Sequence, residues 1–173
     1  MNNNALYLGI LEMALGLIYG ILLCFVMFKL MNKLFFSKME IKYDNPAFGI
    51  LIAFVLFSAG EMVSAALHPA IDYAHRLMNM NLTLSEMITK VSYTISGFFI
   101  ASTIVASVII LLSFALFSWL TTGLNEYEEI KNKNIAVAII TGTIILVITK
   151  FVAGGLEMVF EAFIPYPSMP RIF

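Results

Sequence analysis

Four apolar runs, at about 5–31, 46–68, 93–122 and 135–163, fill most of the 173-residue chain, and the short segments between them carry most of its charge. A transmembrane helix needs about 20 predominantly apolar residues, because at about 1.5 Å per residue that length crosses a hydrocarbon core about 30 Å thick. Each run meets this requirement, and together they leave no room for a separate soluble catalytic module. Hydrophobic residues make up 61% of the chain and charged residues 12%, against about 45–50% and about 25% in soluble domains. The bilayer is therefore the expected solvent and the first expected partner, and the predicted fold is an all-α integral membrane protein with four transmembrane helices.

Charge placement sets the expected orientation. Lys29, Lys33, Lys38 and Lys42 lie in or beside the first connection, and Lys131 and Lys133 in the third. Only Arg76, Lys90 and Arg171 fall on the other side, so the positive-inside rule places both lysine-bearing loops in the cytoplasm and both termini outside it. No basic segment precedes the first apolar run, so that helix is expected to be retained rather than cleaved as a signal peptide. Asn45 before Pro46, and Asn134 before Ile135, read as N-caps that start the second and fourth spans. Between spans two and three, the segment from Pro69 to Met80 reads as a short amphipathic helix in the outer interface, with Asp72, His75 and Arg76 toward water. Thr83 or Ser85 would cap the third span.

The chain also repeats itself. At an offset of 89 residues, Phe25 and Phe28 fall on Phe114 and Phe117, Glu40-Ile41-Lys42 falls on Glu129-Ile130-Lys131, and Asn45 and Ala47 fall on Asn134 and Ala136, without a gap. Coincidence of caps, tripeptide and span edges points to duplication of a two-helix unit, residues 1–89 and 90–173, within one membrane domain. A unit of two spans enters the membrane in the same sense each time, so the repeats are parallel and their relating axis follows the membrane normal. An acidic loop with a following lysine, then N-x-A and an apolar span, twice over four helices, resembles the YjfL-like family of bacterial inner-membrane proteins of unknown function. That resemblance implies a bacterial cytoplasmic membrane and supplies no activity and no functional residue.

Ionisable residues inside the spans are the candidate site. Glu61 and Lys150 are repeat counterparts, each 16 residues beyond its capping asparagine, hence about 24 Å from the cytoplasmic end of its helix. A charge at the helix centre costs roughly 2.5–3.5 kcal/mol on insertion scales, so such residues pair, face the bundle interior or line a wet path. Glu12, toward the outer end of the first span, is expected to join them as a carboxylate in excess, the kind of group that takes up and releases a proton in apolar surroundings. His68, Glu157 and Glu161 lie nearer the outer surface and would give access. The competing reading is structural: Glu61 and Lys150 simply fix the pairing of two helices.

Gly16 and Gly20 form a G-x-x-x-G in the first span, and Gly154 with Gly155 continues the small-residue pattern in the fourth; all four are expected to let helices approach closely, within one chain or between copies. Trp119, Phe35 and Phe36 are placed for the cytoplasmic aromatic belt and Tyr166 for the opposite one. The acidic stretch Asn125–Glu129 reads as a solvated connection, with docking of a cytoplasmic partner as the minority view. Net charge is −1 with dispersed lysines, so nucleic acid is excluded as a partner. Cys24 stands alone and the two histidines, seven apart, lack metal-ligand spacing, so neither a metal nor a cofactor is expected. No catalytic sequence signature appears, and an enzyme is not expected. Two functions remain: a small oligomeric proton or monovalent-cation transporter or channel, and a non-catalytic membrane scaffold or envelope-stress component with protein partners in the membrane or cytoplasm.

Overall fold

In the computed structural model, residues 3–39, 44–77, 82–121, 123 and 125–164 are described. Expectations for Phe35, Phe36, Lys38, Glu40–Lys42, Tyr166 and Arg171 fall on side chains or segments outside that set. Five helices occur among the described residues: α1 (Asn3–Met39), α2 (Pro46–Leu77), α3 (Leu84–Leu120), α4 (Glu126–Lys131) and α5 (Ile135–Ala162). All but α4 are long and apolar enough to cross a membrane, which fits a multi-pass all-α membrane protein.

Helix starts follow the side-chain oxygens that satisfy otherwise orphaned N–H groups. Asn45 accepts from the Phe48 N–H at 3.1 Å. Thr83 and Glu86 form a capping box at the head of α3. Asn134 accepts from the N–H groups of Ala136 and Val137. The short α4 lies where the sequence suggests only a connection; its Asn125 cap and the left-handed backbone of Lys133 (φ 64°) just beyond its end are local turn chemistry.

α2 and α5 run parallel and make the most extensive helix pair, α3 packs against both, and α1 packs on α2 and α3. Methionines and aliphatic residues fill the centre, with Met27, Met31, Leu51, Met62, Ile110 and Ile145 fully enclosed. At one point α5 is cut to the shape of α2: the Phe54 ring occupies the space a Cβ on Gly142 would need. That contact, and not the glycines that stand out in the sequence, is where a missing side chain lets two helices close up.

The segment expected to form a separate interfacial helix, Pro69 to Met80, is up to Leu77 the last part of α2. α2 continues through Pro69 to Leu77, because Ala70, Ala74 and Leu77 form an apolar stripe that packs with Met87 and Val91 at the start of α3. A proline removes one donor and kinks a helix, but the packing beyond it holds this one together.

Candidate functional site

The ionisable residues of α2 and α5 meet along one seam. Lys150 Nζ donates to Glu61 Oε2 at 2.5 Å. Two turns further along, His68 Nδ1 lies 3.6 Å from Glu157 Oε1. At the opposite, lysine-bearing end, Lys133 Nζ stands 3.7 Å from Asp44 Oδ2. Each pair joins residues 89 apart in the chain, the same spacing that aligns the two units. Beyond His68, Asp72 and Glu161, again so related, line a small recess with Arg76 and Tyr73. Contact between equivalent positions is what a two-fold axis running between α2 and α5 produces. At such an axis identical residues would meet, and identical charges would repel; here the two units carry opposite or pairable groups instead.

None of this seam is deep in the bundle. Glu61 is half-buried, while Lys150 and His68 are exposed on the side of the chain. A concavity of about 370 Å³ lined by Phe57, Gly60, Glu61 and Ser64 opens beside the first pair. The seam is therefore a polar stripe at the surface of the isolated chain, at a depth where lipid would otherwise be its neighbour.

Glu12 does not join Glu61 and Lys150. Its Oε1 is buried without a hydrogen bond and lies 3.8 Å from His75 Nε2, and His75 is 14 residues beyond Glu61 on α2, about 21 Å along the helix. The expected three-charge cluster is thus two separate sites, because the packing of α1 brings Glu12 level with the last turns of α2. The sequence pattern points His75 toward water, and only the α1–α2 packing reveals it as the partner of Glu12.

Polar groups thin out below Glu61. Thr141 and Thr143 donate to carbonyls one turn back in their own helix, whereas the hydroxyls of Ser58 and Thr149 are enclosed with no partner. Gly16 and Gly20 line a groove of about 310 Å³ with Gly60, Ser64 and His68. A Cβ added at Gly16, Gly20, Gly154 or Gly155 would meet nothing within 4 Å, so these glycines do not serve close packing inside the chain.

The lysine-bearing end is tied by a second polar knot. Asn45 Nδ2 donates to the carbonyls of Ile130 and Lys131 at 2.7 and 3.2 Å, and Asn134 Nδ2 donates to Glu129 Oε2 at 2.7 Å. The Thr121 hydroxyl donates to the carboxylate of Glu126, which is buried rather than solvated. Burial, and then the charge of Glu126, push the Tyr127 phenol above its usual range. The repeated Glu-Ile-Lys and Asn-x-Ala signatures thus have a structural job in the second unit: they cap α5 and hold α4 on the start of α2.

Residues 84–163 match the family model of a Domain of Unknown Function, DUF350. The match begins at the first residue of α3 and ends at the C-cap of α5, so it covers α3, α4 and α5, and it supplies no activity. No curated protein and no solved structure matches the chain.

Proposed function

We propose that this chain is a small, non-catalytic, oligomeric membrane protein of the bacterial cytoplasmic membrane that binds protons or monovalent cations along the α2–α5 seam and passes them across the bilayer. Its kinship would be with the YjfL-like family over both units, with its termini outside the cytoplasm. One observation carries the reading: Glu61 with Lys150, His68 with Glu157, and the Asp72/Arg76/Glu161 recess form a laterally open ladder rising from mid-helix to one end of the chain. Charges at such depth normally line wet paths or pair, and a proton can step between carboxylates and imidazoles.

Flux of protons and monovalent cations into liposomes containing the purified protein tests it. Glu61→Gln keeps the shape of the side chain and removes its charge, and is expected to abolish flux while the protein still inserts; flux that persists unchanged rejects the proposal. A second reading rests on the Phe54–Gly142 contact: the seam closes toward the lysine-bearing end, which suits a scaffold in which Glu61 and Lys150 only hold helices together. Under that reading neither form conducts, and replacing both residues with leucine leaves the phenotype intact.

A further inference from the structure

The two units place equivalent helices in different settings. α3 lies along α2 within the chain, and repeat symmetry calls for α1 to lie along α5 in the same way, but among the described residues α1 and α5 make no comparable contact. Both surfaces of that missing contact are open. On α3, Ile95, Phe99, Ala106, Ile110 and Phe117 are buried; their counterparts on α1 are Leu6, Ile10, Leu17, Ile21 and Phe28, all exposed, with Ile110 at 0% and Ile21 at 63%. On α2, Leu51, Met62 and Ala70 are enclosed; their counterparts on α5 are Ile140, Phe151 and Val159, with Met62 at 0% and Phe151 at 85%. The same pattern holds at Gly155, exposed where its counterpart Ala66 is buried. One face of α1 and one face of α5 thus match, position for position, the two sides of a contact the chain already makes once.

We infer that α1 of a second copy of this chain docks on α5, recreating between molecules the α3–α2 contact found within one. Exchange in both directions would close a two-fold dimer, in which each surface is used once and none is left over. Lipid alone is a poor occupant, because α5 also exposes Lys150, paired with Glu61 of α2, and hydrocarbon solvates neither. The occupant is a second copy because the matching surface is this chain's own first helix. The inference rests on the duplication and not on ion movement, so it survives if no flux is found.

Cys24 is the repeat counterpart of the fully buried Ser113 on α3 and is itself exposed. Leu51, the counterpart of Ile140, is 5 residues from the start of α2 and Ser113 is 7 residues from the end of α3, which puts them at similar depth in two helices that pack together, so Cys24 of one copy should come near position 140 of the other. Ile140→Cys, oxidised or treated with a short bis-maleimide in membranes, is expected to give a species of twice the 19.3 kDa chain mass. The wild type, and Ile140→Cys combined with Cys24→Ala, should not. Cross-linking of the wild type through Cys24 alone would mean that α1 packs on α1, as its Gly16 and Gly20 would allow, and overturns the inference. So does loss of both thiols without a gain in mass, which would place α1 on α5 of its own chain. A monomeric mass by light scattering in nanodiscs, with no cross-link at position 140, 144 or 151, overturns it as well.

Discussion

α1 and α3 are both 37 residues long, open their respective units and are similarly apolar, yet the best apolar window of α1 is 11% buried and that of α3 39%. Composition cannot separate them. What differs is the neighbour: α3 has α2 and α5 on either side, whereas α1 reaches the flank of α2 and α3 and touches α4, and leaves its better-matched face open. The same contrast divides α2, enclosed on most sides, from α5, which is open opposite α3. A sequence duplicated in one dimension need not be duplicated in its packing.

That contrast can be broken at one pair of positions. Met62→Ala removes a fully enclosed side chain and should destabilise the chain by about 2–5 kcal/mol. Phe151→Ala, at the equivalent site on α5, should change the stability of the separated chain by less than about 0.5 kcal/mol, read by denaturant titration in micelles dilute enough to isolate single copies. Equal losses would show that α5 is covered within its own chain. A Phe151→Ala loss that appears only as protein concentration rises would sharpen the contrast instead, because the missing contact would then be supplied between copies.

Much of the architecture is legible in the sequence. Four spans, three asparagine or threonine caps and the 89-residue register are written in local chemistry and hydropathy, and the pairing of Glu61 with Lys150 and of His68 with Glu157 follows from register alone. Other features depend on how helices lean on one another, which no register contains. Glu12 meets His75 because the start of α1 packs beside the last turns of α2. Gly142, placed between two threonines, carries the close approach expected of Gly154 and Gly155. α4 leaves no periodic signal because six residues are too few to show one, and Glu126 is buried with a bond from Thr121 that no apolar run announces.

The seam offers a cut of intermediate size, where the two units meet on equal terms. Glu61→Leu leaves Lys150 without a partner at membrane depth and should cost about 2.5–3.5 kcal/mol, visible as poor accumulation and a lower midpoint of unfolding. Replacing both residues with leucine should recover most of that loss, since an ion pair exchanged for packed apolar groups is often neutral. Exchanging the two, Glu61→Lys with Lys150→Glu, should recover part of it, because the ion pair is restored across the same seam. A swapped protein as weak as the single variant would show that the surroundings differ, and that the units are less equivalent than their register.

The smallest difference lies between the two capping asparagines, which occupy the same place in each unit and carry unequal loads. Asn134 accepts two N–H groups at the head of α5 and donates to Glu129, an arrangement local to one turn. Asn45 accepts from Phe48 and donates twice across to the last carbonyls of α4, so it also joins the units, and it is buried where Asn134 is only partly so. Asn134→Ala should therefore lose about 1 kcal/mol, the usual worth of a cap. Asn45→Ala should lose about 2 kcal/mol, since the two bonds across to Ile130 and Lys131 go with the cap. Aspartate probes the second contribution at position 45: it caps as well as asparagine but cannot donate, so Asn45→Asp should retain the cap, lose the cross-link to α4 and set a carboxylate against the two carbonyls. If the aspartate variant is as stable as the wild type, the bonds to Ile130 and Lys131 add nothing, and α4 is held on α2 by the apolar contacts of Ile130 alone.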